Sequence, residues 1–274
     1  MIWALLGALA IGLSLGLMGS GGSILTVPVL TLVLGQDEKV AIAGSLAIVG
    51  GISLFAGLPY ARRRLVDYRS LIFFGLPGMG GSYLGATLAK FVSGPVQLAV
   101  FAALMLVAGV MMIRPPKLSE EAVKPRAVWK IMIDGVVVGA ITGFVGVGGG
   151  FMIVPALVLL GGLPMSRAVG TSLFIIALKS ASGFVKYLDV LDELGLALDW
   201  HIIGMFTAVG IVGSFAGSAF SKKVPQAALR RVFAVFLFVI GTFIVVRSWG
   251  EITGTETAHA AQPAALSETL ARKQ

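Results

Sequence analysis

One glycine-rich, proline-ended motif occurs twice in this chain, and adding 127 to each position of the first copy lands on the second without a gap. Residues 16–28 read GLMGSGGSILTVP and residues 143–155 read GFVGVGGGFMIVP, so Gly16, Gly19, Gly21, Gly22, Val27 and Pro28 fall on Gly143, Gly146, Gly148, Gly149, Val154 and Pro155. The register still holds at Ser45-Leu46 and Ser172-Leu173. A register kept over that distance predicts two copies of one unit, and any fold proposed for the chain must be divisible into two similar halves.

Hydropathy says where those halves sit. With 57% hydrophobic and 12% charged residues and a mean hydropathy of +0.97, the chain is far more apolar than a water-soluble domain, in which about 25% of residues are charged. Apolar runs cover residues 2–35, 40–59, 70–92 and 95–113, then 131–162, 168–188, 201–220 and 232–246. Each approaches or exceeds the roughly 20 residues a helix needs to span a bilayer, and none alternates as a barrel strand would. The expectation is an all-α polytopic membrane protein of eight hydrophobic segments in two four-segment repeats. Residues 1–113 form the first repeat, 114–130 a charged cytoplasmic linker, 131–247 the second repeat, and 248–274 a polar tail without regular structure. The start, MIWALLGALAIGLSLGL, has no basic region and no small-residue cleavage site, and reads as mature structure.

Loop charge sets the orientation. Residues 60–69 and 114–130 each carry net +3 and residues 222–231 carry +4, whereas residues 186–199 carry −3 and 36–39 carry −1. Eight full crossings would put 60–69 and 222–231 on opposite sides. If the first segment of each repeat instead enters and returns as a broken, re-entrant hairpin, every basic loop falls in the cytoplasm and the two repeats become inverted. The glycine clusters interrupt those two segments near their middle; the alternative is one long kinked helix with an ordinary crossing. Trp3, Trp129, Trp200 and Trp249 lie at segment ends, as an aromatic belt requires.

The chemistry follows from a few residues. Glycines Gly19, Gly21, Gly22 with Ser20 and Ser23, and Gly146, Gly148, Gly149, Gly150 in the second copy, let the backbone break so that amide N–H groups can face an anion. The competing role is close helix packing, which needs only one small residue per turn and suffices for Gly81 with Gly85 and Gly213 with Gly217. Lys179 lies near the middle of its segment with no acidic residue beside it, which points to an anion as its counter-charge; the alternative is a lysine that reaches water along a cavity wall or carries no charge. At helical spacing Ser172, Lys179, Ser182 and Gly183 share a face, and the position equivalent to Lys179 in the first copy is Ile52. Asp134 is a carboxylate near a helix start, with proton coupling as its other possible role. No cysteine and two histidines exclude disulfides, thiolate metal sites and a metal cluster, and no cofactor is expected. The net charge of +8 reports orientation in the bilayer, not a nucleic-acid partner, and without a preceding strand neither glycine cluster is a nucleotide fingerprint.

The two glycine-proline motifs, each followed by an Ala/Gly-x-Ser-Leu element at residues 43–46 and 170–173, resemble the sulfite exporter TauE/SafE family of membrane permeases. The second element, GTSL, is similar to the family form, while the first reads AGSL and lacks a hydroxyl at Gly44. The resemblance covers residues 2–246. It implies an inner-membrane, multi-pass carrier of small sulfur-containing anions such as sulfite, sulfonates and sulfoacetate, and not an enzyme. On this reading Lys179, Gly19, Ser20, Gly21, Gly22, Ser23, Ser45, Gly146, Gly148, Gly149, Gly150, Thr171 and Ser172 surround the substrate between the repeats. Because the cytoplasm is negative, an anion leaves without a coupling ion, so export is expected. Two alternatives stand beside it: a proton-coupled importer of the same anions, and a non-transporting membrane scaffold or assembly factor.

Overall fold

The computed structural model describes residues 2–19, 22–113, 127–146, 149–157 and 162–220, with residues 231, 234–235, 238–239 and 241–246 of the last segment. Ser20, Gly21, Gly148, most of the 114–130 linker, nearly all of the basic 222–231 stretch and the 248–274 tail lie outside the described residues. Every described element is helical: α1 Ile2–Met18, α2 Ser23–Pro28, α3 Glu38–Arg62, α4 Tyr68–Ala89, α5 Gly94–Ile113, α6 Val128–Val145, α7 Gly150–Pro155, α8 Met165–Glu193 and α9 Trp200–Phe220. Five helices, α3, α4, α6, α8 and α9, are long and apolar enough to cross a membrane; α1, Ser23–Val33 and Gly94–Val107 are shorter apolar helices.

Local chemistry explains the starts and breaks. The Asp37 carboxylate accepts from the Lys39 amide at 2.8 Å to cap α3, and Asp67 accepts from the Ser70 amide at 2.8 Å to cap the first turn of α4. Proline lacks an N–H and crowds the carbonyl four residues back, and the helix widens around it into π turns. One, Val29–Val33, follows Pro28; the other, Leu71–Gly75, lies within α4 just before Pro77. Left-handed glycines end α1 at Gly19 (φ 70°) and α6 at Gly146 (φ 72°), and Gly149 (φ 78°) precedes α7. After the first break the chain doubles back along α1, because Gly7 faces Val29 and Gly22 faces Ile11 and Leu15.

The helices pair by the same rule in both halves. Adding 127 carries α1 onto α6 and most of α4 onto α9, and the two most extensive pairings are α1 with α9 and α4 with α6. Both are parallel. Gly12 meets Gly210 and Gly16 meets Ser214, while Gly81 meets Val136 and Gly85 meets Ala140. Between them α3 and α8 run antiparallel, with Leu46 beside Gly183, Gly50 beside Ala177 and Ser180, and Tyr60 beside Gly170. Gly50 thus lies beside the residue 127 positions on, Ala177.

Two loop boundaries differ from the sequence expectation. The acidic stretch 186–199 is helical through Glu193, so Lys186, Asp189, Asp192 and Glu193 sit on the last turns of α8. Side-chain pairs carry the helix past its apolar part: Lys186 bonds Asp189 at 3.0 Å and Lys90 of α4 meets Glu193 at 3.5 Å. Likewise α3 runs to Arg62, leaving only residues 63–67 as the basic turn before α4.

The glycines at the parallel pairs are packing surfaces, since a methyl group at Gly12, Gly16, Gly81 or Gly85 would meet a backbone carbonyl of the neighbouring helix. Gly85→Leu and Gly12→Leu should therefore destabilise the bundle by about 1–3 kcal/mol or more. Gly80→Ala and Gly204→Ala, which face open space, should leave it unchanged or slightly more stable. Thermal unfolding of the purified variants in detergent checks both.

Candidate functional site

Lys179 is the chemically exceptional residue of the bundle. It lies on α8 two residues past Ala177, hence at the α3–α8 crossing, and is 0% exposed. Its Nζ has no hydrogen-bond partner among the described residues and sits 4.9 Å from the centroid of the Phe74 ring. Phe74 belongs to the π turn of α4, so the distortion before Pro77 helps set where the ring lies against the cation. Gly78, one turn on, leaves the slot that the lysine stem occupies: a Cβ there would collide with Cε of Lys179 and lie 3.3 Å from Nζ. The Ser82 hydroxyl donates to the Lys179 carbonyl at 2.9 Å, and Ser182 donates to Met79 O at 2.8 Å, so the polar stripe of α8 packs on α4. The clefts lined by Thr31, Gln36 and Leu98 and by Leu191, Asp192 and Trp200 do not reach this lysine.

The broken tips are held by matching hydroxyl clamps. Ser172 donates to Gly19 O at 3.2 Å, and Ser45, its counterpart, donates to Gly146 O. Gly19 packs on Val169 and Gly146 on Ile42, positions again related by 127. Thr171 accepts from the Asp67 amide at 2.8 Å, a contact that Gly44, without a hydroxyl, cannot repeat. Ser23 and Gly22 are buried at the start of α2; Gly149 lies against Thr142, and Gly150 opens α7. Each clamp serves a backbone carbonyl at a helix break, where otherwise it would lack a partner.

The sequence-predicted residues thus form three groups. Gly19 joins Thr171 and Ser172 near the start of α8; Gly146 joins Ser45 near the start of α3; Lys179 lies between. Because α3 and α8 are antiparallel, the two glycine tips are roughly 25 Å apart along the helices and Lys179 is about 10 Å from Ser172. They flank the lysine from opposite ends and do not converge on one cavity. Asp134, partly buried on α6, precedes Gly135, whose backbone packs on Phe74. Among the described residues no three His, Asp or Glu side chains cluster as metal ligands.

Further polar residues emerge only in three dimensions. Lys39 is buried and donates to Ala89 O, to Val92 O at 2.6 Å and to Gln97 Oε1 at 2.8 Å, closing the C-terminal end of α4. Gln97 donates in turn to Phe144 O and Tyr187 Oη, and Tyr187 donates to Phe144 O at 2.8 Å. This network anchors the end of α6 just before Gly146. Ser53 and Ser180 are fully buried, and among the described residues their hydroxyls have no hydrogen-bond partner. Their positions differ by 127, a signal that was available in the repeat register.

Comparison with known proteins agrees with this architecture in extent. A probable membrane transporter protein of Xylella fastidiosa (strain Temecula1 / ATCC 700964) is 30% identical over 249 residues, covering 88% of this chain and 94% of that protein. The probable membrane transporter protein YunE of Bacillus subtilis is 27% identical over 258 residues, covering 84% and 91%. The probable membrane transporter protein MJ0441 of Methanocaldococcus jannaschii is 24% identical over 250 residues, covering 86% and 93%. Residues 4–244 match the sulfite exporter TauE/SafE family, and the chain belongs to that family.

Proposed function

We propose that the chain is a secondary transporter that exports small sulfur-containing anions, of the sulfite, sulfonate and sulfoacetate type, across the inner membrane through a site between its two repeats. The observation that carries this reading is Lys179, a fully buried cation at the crossing of α3 and α8 with no hydrogen-bond partner among the described residues. A charge at that depth costs at least about 2.5–3.5 kcal/mol on insertion scales, and a scaffold gains nothing from it. A translocating anion offsets that penalty. The relatives' names support membrane transport, and the family's description supports a sulfur-containing solute.

The repeats are inverted on this reading. The support is that α3 and α8, related by the offset of 127, run antiparallel, as equivalent helices do when the repeat axis lies in the membrane plane. The flanking tips, Gly19, Gly22 and Ser23 with Thr171 and Ser172 on one side and Gly146, Gly149 and Gly150 with Ser45 on the other, then line the path to Lys179 from opposite faces. Rocking of the α1–α9 pair against the α4–α6 pair would open one tip at a time. Export is favoured because each negative charge leaving a negative cytoplasm gains about 2.3 kcal/mol per 100 mV.

Purified protein in liposomes, loaded with sulfite, sulfoacetate or an alkanesulfonate and given an interior-negative potential, should release the anion. Lys179→Met should slow release by about a hundredfold or more, as expected when one partner of a buried charge pair is removed. Asp134→Asn should leave it unchanged; loss of flux there would favour proton-coupled import. Unaltered flux in Lys179→Met would refute the counter-charge role. The topology is tested in the cysteine-free chain by single cysteines at Arg64 and Gly195, in the turns that join α3 to α4 and α8 to α9. Inverted repeats predict labelling by an impermeant maleimide from opposite faces, and parallel repeats predict the same face.

A further inference from the structure

Three buried side-chain atoms have no hydrogen-bond partner among the described residues: Ser53 Oγ, Lys179 Nζ and Ser180 Oγ. Buried hydroxyls in helices of this bundle usually return their proton to a carbonyl three or four residues back. Ser45 bonds Ile42 O at 3.1 Å, Thr142 bonds Val138 O at 2.7 Å, Ser172 bonds Val169 O at 2.8 Å and Ser214 bonds Ile211 O at 2.8 Å. Ser53 and Ser180 do not, and an unmade hydrogen bond in a dry core is costly. That both members of a repeat-related pair share the departure marks it as a property of the repeat, not a local fault. Ser180 Cβ lies 3.1 Å from where a Cβ on Gly50 would be, Ser53 is one turn beyond Gly50 on the same helix, and Lys179 precedes Ser180. The three donors therefore lie at one level of the bundle, Ser53 and Ser180 at the α3–α8 contact and Lys179 on the neighbouring face of α8, toward α4.

We propose that Ser53, Ser180 and Lys179 form a three-donor subsite between the repeats that takes a singly charged XO3 head, one donor to each oxygen. This deepens the transport reading and rests on it. The two hydroxyls are neutral and come from opposite repeats, so they meet the anion equivalently as the halves rock. Lys179 supplies the charge, its flexible stem moving the ammonium from the Phe74 ring face to the anion. The other buried ammonium among the described residues, Lys39, is taken up by Ala89 O, Val92 O and Gln97. One available positive charge matches an XO3 head with a single charge, as in a sulfonate or in sulfoacetate, whose carboxylate lies outside the three donors, whereas sulfate carries both charges on the head itself in a medium that solvates it poorly. The subsite thus selects by charge as well as by oxygen count.

The test uses the full-length purified protein, with methanesulfonate and sulfate as probes, titration calorimetry for binding and thermal unfolding for stability. Wild type should bind methanesulfonate at least about tenfold more tightly than sulfate. Ser53→Ala and Ser180→Ala should each weaken methanesulfonate binding by about tenfold, the loss of one hydrogen bond to a charged group. Neither should lower the unfolding temperature, because neither hydroxyl bonds to the protein. Equal affinity for sulfate, wild-type binding in both serine variants, or a weakened fold that accounts for their loss would each overturn the subsite. If the serine variants bind normally while Lys179→Met does not, the subsite falls and the transport reading stands. If wild type neither binds nor moves either anion, both fall.

Discussion

The contact of α3 with α8 at Gly50 and Ala177 sets the rest of the bundle. In a hydrocarbon medium helix association has little hydrophobic drive and depends on close packing, and a glycine at the crossing lets these two backbones approach. Helices α3 and α8, related by the offset of 127, meet there, and the most extensive pairings lie on either side of them. These are the parallel pairs α1 with α9 and α4 with α6, each built on glycines pressed against carbonyls. A polar layer through the centre of such a tightly packed bundle is expensive, and the lysine and two serines that form it stand out for that reason.

The halves match in how their helices pair and differ in chemistry. Both tips are clamped by a serine hydroxyl on a glycine carbonyl, which keeps the broken backbone satisfied inside the membrane. Beside Gly146 there is a second layer of support, in which Lys39, Gln97 and Tyr187 tie the ends of α4 and α6 to α3, α5 and α8. The residue equivalent to Lys39 in the second repeat is Ser166, which is exposed, and Tyr187 corresponds to Tyr60, which is only half-buried. Symmetric hinges with unequal locks suit a carrier whose two faces are not interchangeable.

The sequence exposed the duplication, the two breaks and the odd lysine, because each is local: a register, a run of glycines, a charge among apolar residues. It did not expose Lys39, whose surroundings at residues 36–39 look like an ordinary charged turn. Its burial depends on Ala89, Val92 and Gln97, more than 40 residues away. Nor did the two glycine motifs reveal that their tips lie far apart, since repeat symmetry relates two positions without saying how far each lies from the axis. Helix α8 outran its apolar stretch because Lys186 and Asp189 pair along it, and charge alone read as loop. Ser53 and Ser180 were legible in principle through the offset of 127, but small hydroxyls in a helix carry no signal until their hydrogen bonds are traced.

The chain contains no cysteine, so Lys179→Cys places a single thiol at the centre of the bundle. Liposome flux of a sulfonate would be measured before and after treating this variant with an aminoethyl methanethiosulfonate, which rebuilds a lysine-like cation, or with its uncharged methyl counterpart. Flux should be absent in the untreated variant, return with the aminoethyl group and stay absent with the methyl group. Flux that persists in the untreated variant, or returns equally with either group, would contradict a charge-based role for Lys179.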